Sequence, residues 1–408
     1  MRILLVGAGG VGNAIARIAA TRGFITEMVI ADYDETRARR VADSIDDDRY
    51  RGVRLDAGSV PDVVDLVAVT RADVLLNACD PRFVAPLFAA AEEAAVDYLD
   101  MAMSLSEPHP TDPYAQSGVK LGDLQFAAAQ RWADRGRLAL CGLGVEPGLS
   151  DIFARYAADE LFATVADVGV RDGASLTVDG YDFAPTFSIW TTIEECLNPP
   201  VIWQRDRGWY TTEPFSEPEV FDFPDGIGPV ECVNVEHEEV LLIPRWVDCS
   251  RVTFKYGLGE EFIGVLRTLH KLGLDSTRPV PVAGVAVPPR DVVAACLPDP
   301  AKLGERMRGK TCAGTWVRGI GRDPTSGAQT GPREVYLYHV VDNEQTMRDW
   351  GCQAVVWQTA INPVVGLELL ATGAWSGAGV LGPEAFPAGP YLDLLADGYG
   401  SPWGLREM

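Results

Sequence analysis

The first twelve residues constrain this chain more than any other stretch. Ile3-Leu4-Leu5-Val6 is an apolar run that leads straight into Gly7-Ala8-Gly9-Gly10-Val11-Gly12. A strand feeding a G-x-G-x-x-G turn opens a dinucleotide-binding βαβ unit. Gly7 permits the tight turn, Gly9 lets the backbone approach a pyrophosphate, and Gly12 lets the helix pack close on the strand. Gly10 belongs to the same cofactor-binding turn, and the helix Val11–Arg22 points its first N–H groups and partial positive charge at the phosphates.

Glycine turns are common, so context decides. Asn13–Ala19 has helical periodicity, and a second strand, Met28–Ala31, ends in Asp32, twenty residues after Gly12. An acid there accepts hydrogen bonds from both ribose hydroxyls of NAD and repels the 2′-phosphate of NADP. Arg37, Arg39 and Arg40 are the counter-signal, but they lie well inside the next helix, where a solvated basic face is the commoner arrangement. NAD is the expected cofactor and NADP the alternative.

The alternation continues. Arg54-Leu55 closes a third strand and sets Asp56 and Ala57 beside an adenine; Ala72–Ala78 is a fourth, ending in a polar loop that offers Asn77, Ala78 and Cys79 to the cofactor. A helix over 83–95, a strand over 96–100, a helix over about 123–135 and a strand over 138–141 follow. This grammar predicts an α/β fold, a Rossmann doubly wound parallel sheet over residues 1–148. Beyond it, Val165–Arg171, Glu231–Pro244, Arg251–Tyr256, Thr311–Arg318 and Glu334–Val341 read as strands, with helices at Glu260–Leu272 and Pro289–Cys296. They predict a second α+β domain over 149–345, built on a largely antiparallel sheet that covers a substrate or pairs two subunits. In the remaining 346–408, Met347–Thr359 and Pro363–Thr372 read as two apolar helices packing back on the cofactor domain.

Composition narrows the function. The 408 residues carry a net charge of −23, which disfavours nucleic acid and anionic membrane as partners and leaves a small molecule. The chain opens as a strand rather than a leader, and no apolar run has the length of a bilayer span. The eight cysteines are scattered without a C-x-x-C pair, which reads as reduced thiols in cytoplasm. Four histidines without paired spacing argue against a metal centre.

In an open α/β sheet, ligands sit beyond the carboxyl ends of the strands. Two loops leave there, Met101–Ser104 and Gly142–Asp151; the glycines and Pro147 rigidify the second, and Ser150 is placed to cap the helix that follows. Asp100 and Glu146 are the acid/base candidates, because breaking or making a C–N bond requires a proton to leave or reach nitrogen or its carbinolamine. Trp190, Arg171 and Lys255 are candidates for the substrate pocket, the two cations for a substrate carboxylate. Cys79 and Cys141 read as core fillers, and His339 as a sheet histidine.

Together, Val6–Gly12, Val74–Ala78, Val96–Asp100, the Gly142–Leu149 loop, Phe187-Ser188-Ile189-Trp190 and Gly379–Glu384 resemble the saccharopine dehydrogenase superfamily over nearly the whole chain. The resemblance implies NAD(P)-dependent chemistry on the C–N bond of an amino-acid or polyamine-related substrate, as in saccharopine reductases, lysine 6-dehydrogenases and carboxynorspermidine dehydrogenases. It also implies a homodimer formed through the second sheet. The chain departs from saccharopine reductases at three places. Glu146 stands where Asp is commoner, Thr191-Thr192-Ile193 replaces a Ser-Pro-Arg, and Arg171-Asp172-Gly173-Ala174 replaces a Gly-Gly-Leu-Pro turn. These departures favour a smaller or more cationic amine than saccharopine. The rival expectation is a cofactor-binding sensor or partner subunit that has lost catalysis.

Overall fold

A computed structural model describes residues 1–408, the side chain of Ala301 excepted. Six strands of the N-terminal part, β1 (Arg2–Val6), β2 (Glu27–Asp32), β3 (Tyr50–Arg54), β4 (Val74–Asn77), β5 (Asp97–Asp100) and β6 (Leu138–Leu140), lie in the order β6-β5-β4-β1-β2-β3. Every pairing is parallel. Ile3, Leu4 and Leu5 are fully buried, as a strand covered by helices on both faces requires. The strand order reverses between β1 and β4, and that switch point opens the ligand crevice. The glycines do what the turn demands: Gly7 has φ +105°, and a Cβ on Gly12 would fall 1.9 Å from the Gly7 carbonyl oxygen.

The second sheet has nine strands. Its spine is β7 (Phe162–Ala174), paired antiparallel with Lys310–Arg322, which pairs in turn with Gln329–Asp342. On its other side β7 pairs in parallel with Arg251–Gly257, so the sheet is mixed but mainly antiparallel. The expected strand Glu231–Pro244 is corrected: a strand ends at Asn234 and a helix runs over Glu239–Trp246. Val240, Leu241, Leu242 and Ile243 are all fully buried, and a short apolar run buried on every side has no period that separates helix from strand.

The tail differs from expectation in three ways. The first helix is Asn343–Trp350, closed by Gly351 at φ +68°, and the second runs unbroken over Ala354–Thr372, through Pro363. That second helix does have the length and mean hydropathy of a membrane span, contrary to the sequence reading, yet 72% of the window is buried within the protein. It packs on the Gly10–Ala20 helix behind the glycine turn. The tail also contributes strands: Gly379–Leu381 extends the parallel sheet beside β6, and Gly404–Glu407 extends the mixed sheet beside Gln329–Asp342.

Candidate active site

Between the two sheets lies a cavity of about 540 Å³. Its floor is the dinucleotide crevice: Gly9, Gly10, Val11, Asn77, Ala78 and Cys79 all line it. The Asn77 carboxamide oxygen accepts the Cys79 N–H at 2.9 Å, and its nitrogen donates to the Tyr98 hydroxyl at 3.0 Å, which fixes the β4 loop. Burial pushes the Cys79 thiol up to about 12, with Asp32 and Asp80 adding to the effect, so it is no nucleophile. The geometry suits a dinucleotide. The helix Gly10–Ala20 has no side-chain cap on its first N–H groups, and an added Cβ on Gly9 would meet nothing within 4 Å. Asp32 ends β2, where its carboxylate accepts from the Ala8 N–H at 2.8 Å and the Asp34 N–H at 2.9 Å, with the Arg37 guanidinium 3.6 Å away. Asp56 and Ala57 follow β3 outside the cavity, Asp56 accepting from the Gly58 N–H at 2.9 Å.

Asp100 and Glu146 both reach the cavity wall. Asp100 ends β5 and braces the neighbouring loop: one oxygen accepts the Gly142 N–H and the other the Gln125 side-chain N–H, each at 2.7 Å. Burial pushes its carboxyl up to about 7. Glu146 lies in the loop between β6 and the helix Leu149–Tyr156, where Gly142 and Gly148 take φ of +74° and +133°. Its carboxyl meets Asp172 of β7, and one of its oxygens, Oε1, is buried with no hydrogen-bond partner among the described residues. Burial, then the charges of Asp172 and Glu239, hold Glu146 well above the carboxylate range. Burial likewise lifts Asp172 to about 7. Each carboxyl is thus pushed towards its protonated form, by burial and by the charges beside it.

Several residues of this wall were not singled out in the sequence. Asp172 is one. His237 is another: it precedes the Glu239–Trp246 helix, its ring stacks on Phe254 at 3.9 Å, and its Nδ1 lies 2.5 Å from Glu239. Ser150 does not cap its helix; Gly148 takes that position, and the Ser150 hydroxyl donates to Glu239 at 2.9 Å. His237, Glu238 and Glu239 also bring metal-ligand atoms within 4.8 Å of one another, a grouping that histidine spacing did not foresee. Glu195 and Glu236 are lifted by burial to about 8 and about 7. The legible signal was the run Glu236-His237-Glu238-Glu239, too many titratable groups in a row for the strand assigned there.

Trp190 lines the cavity, with the guanidinium carbons of Arg82 and Arg290 at 4.8 and 4.7 Å from its ring centre. Arg171 and Lys255 do not line it, which corrects the sequence reading. They sit side by side on β7 and its parallel neighbour and both pair with Glu219, Lys255 at 2.8 Å. Side chains alternate across a sheet, so the next residues along, Asp172 and Tyr256, face the cavity instead. The tail supplies Gln358 to the wall, where it accepts from Thr311 at 2.9 Å and donates to the His339 carbonyl at 2.9 Å.

The wall therefore carries eight carboxyl groups, from Asp80, Asp100, Glu146, Asp172, Glu194, Glu195, Glu236 and Glu238, and among the described residues no lysine or arginine. A Rossmann floor, a mixed-sheet roof and a wall of buried carboxyls form one architecture, and both halves match a known family. Residues 3–140 match the saccharopine dehydrogenase NADP binding domain, and residues 144–400 the saccharopine dehydrogenase C-terminal domain. The chain belongs to the saccharopine dehydrogenase family. It is a nicotinamide-dependent oxidoreductase of C–N bonds. Among its relatives, the carboxynorspermidine synthase of Vibrio cholerae is 26% identical over 418 residues, covering 100% of this chain and 97% of that protein. The carboxyaminopropylagmatine dehydrogenase of Synechocystis is 28% identical over 403 residues, covering 98% of this chain and 96% of that protein. The apo saccharopine dehydrogenase (L-Glu forming) of Saccharomyces cerevisiae shares the fold, with a TM-score of 0.69 at 12% identity over 100% of this chain and 99% of that one.

Proposed function

We propose that this family member makes or breaks the C–N bond of a carboxylated polyamine adduct, a compound of the carboxynorspermidine or carboxyaminopropylagmatine type, rather than that of saccharopine. The observation that carries this reading is the cavity wall of eight carboxyl groups, of which only Asp80 and Glu194 pair with an arginine, Arg82 and Arg290. Such a wall attracts a substrate with several ammonium or guanidinium groups and repels one whose net charge is negative.

When bound, the nicotinamide exchanges hydride with the substrate carbon. The protein's part is positioning and proton management. Glu146 and Asp172 hold a proton between them on the cavity wall, so the pair can take one from an arriving ammonium and return it to the product amine. Asp100 holds the Gly142 loop in place, and the Trp190 ring, which already carries the Arg82 and Arg290 guanidiniums, borders the substrate space.

NAD is the preferred cofactor in this reading, because the Asp32 carboxylate stands where a 2′-phosphate would lie. NADH is expected to bind tighter than NADPH, and Asp32→Ala to narrow the difference; equal affinities in the unaltered protein would overturn the preference. The eight cysteines are all unpaired, which supports a reducing, cytoplasmic setting. The mixed sheet leaves the edge strands Gly208–Thr211 and Gly404–Glu407 open, which supports a homodimer.

The deciding experiment follows the absorbance of NADH and NADPH with carboxynorspermidine, carboxyaminopropylagmatine and saccharopine. Turnover of either polyamine adduct with no turnover of saccharopine is expected. Turnover of saccharopine alone would overturn the reading.

A further inference from the structure

The His237 ring is held on three sides. Glu239 accepts from Nδ1, Phe254 stacks flat against one face with the planes 6° apart, and Tyr256 stands edge-on at 6.0 Å. Glu239 is itself fixed, since the Ser150 hydroxyl holds its other oxygen and Thr315 donates to the Ser150 carbonyl at 2.6 Å. His237 lines the cavity, Nδ1 is committed to Glu239, and Nε2 has no hydrogen-bond partner among the described residues. A cavity-lining ring locked in orientation, with a carboxylate behind one nitrogen and the other unpartnered, is the arrangement of a general acid or base.

We infer that His237 is a catalytic residue of this site, the proton donor that releases water from the carbinolamine, and that Glu239 is its positioning residue. The inference rests on the C–N reading above. In the reductive direction the amine nitrogen adds to an aldehyde carbon and gives a carbinolamine. His237 passes the Nε2 proton to the hydroxyl, the C–O bond breaks, and the nitrogen lone pair forms the C=N bond; water and an iminium result. Hydride then reaches the iminium carbon and the π pair returns to nitrogen. The proton shed by the arriving ammonium to Glu146 and Asp172 goes back to the product amine. The proton lost by His237 is replaced from solvent, so one proton is consumed with each hydride.

The charges around the ring fit this role. Burial by itself would make the imidazole shed its proton, and the carboxylates Glu239, Glu238 and Glu195 act against it. Asp172 of β7 also faces the ring. A cationic amine entering among these carboxylates opposes that effect and makes the proton easier to give.

The test compares His237→Gln and Glu239→Gln with the unaltered enzyme on carboxynorspermidine and carboxyaminopropylagmatine. His237→Gln is expected to lose about 10²–10⁴-fold in kcat, the range of proton-transfer catalysis, with NADH affinity unchanged. Its isotope effect with substrate deuterated at the carbon that yields hydride should fall towards unity, because the water step becomes rate-limiting. Glu239→Gln keeps the imidazole, so it should lose less and move the pH profile of kcat to lower pH. If His237→Gln does not fold, that displaced profile in Glu239→Gln is the test, and an unmoved profile overturns the inference. Unaltered kcat in His237→Gln, or a loss confined to KM with the isotope effect retained, also overturns it while leaving the C–N reading intact. An unaltered enzyme that turns over neither compound removes that reading and this inference together.

Discussion

Arg171 and Asp172 are consecutive on β7 and face opposite sides of the mixed sheet. Asp172 enters the cavity beside Glu146, and Arg171 is buried on the far side against Glu219, Thr253 and the Trp316 ring. One residue of register thus separates a group that lines the substrate space from one that holds two strands and a ribbon together.

Arg171→Ala should therefore cost stability and leave substrate binding alone. It removes donors to the Val170 carbonyl and Thr253 hydroxyl and leaves Glu219 to Lys255. A loss of about 1–3 kcal/mol is expected in denaturant unfolding, as for other buried hydrogen-bonding groups left without partners. KM for the amine substrate should not move, and a large rise in KM at unchanged stability would contradict the placement.

Asp100→Asn should also act on stability more than on rate. Both carboxylate oxygens accept, one from Gly142 and one from Gln125. An asparagine turns an N–H towards one of these donors, so a buried bond is lost whichever way it flips. Thermal unfolding should report a lower Tm, with kcat reduced far less than in a Glu146 variant.

Glu146→Gln keeps the shape of the side chain and removes the exchangeable proton. Turnover should fall about 10²–10⁴-fold. NADH binding, read by fluorescence, should hardly change, since Glu146 belongs to the loop before the Leu149–Tyr156 helix and not to the glycine turn. Near-normal turnover across the pH range would exclude Glu146 as the proton carrier and move that role to Asp172.

Stability should fall as pH rises from about 5 to 9. Asp100, Asp172 and Glu236 stand at about 7 and Glu195 at about 8 in the folded protein, far above their unfolded values. The folded state holds more protons than the unfolded one between those limits, so raising the pH favours unfolding. His237 acts in the same sense: its contribution is complete below its unfolded value near 6.5 and is lost as pH climbs through about 10. A polyamine adduct in the cavity neutralises the newly ionised carboxylates, so its Tm gain should be larger at pH 8 than at pH 5. Melting curves at the two values, with and without the compound, check both slopes; a Tm that rises over this range would contradict the picture.

The sequence by itself determined the dinucleotide half. Gly7, Gly9 and Gly12 are demanded by backbone approach, Asp32 by its place at the end of β2, and the alternating elements by short-range periodicity, all of which are local properties. The resemblance of six segments brought in the family, and Asp100, Glu146 and Trp190 all reach the cavity. The tertiary structure alone decided which face of the mixed sheet meets the substrate, because a register of two cannot say which side is covered. That is why Arg171 and Lys255 were assigned to the pocket in place of Asp172 and Tyr256. It also decided that the chain after Asn234 turns through His237 into the helix Glu239–Trp246, and that the tail donates a strand to each sheet. Such features come from contacts between residues far apart in the chain, and no local pattern records them.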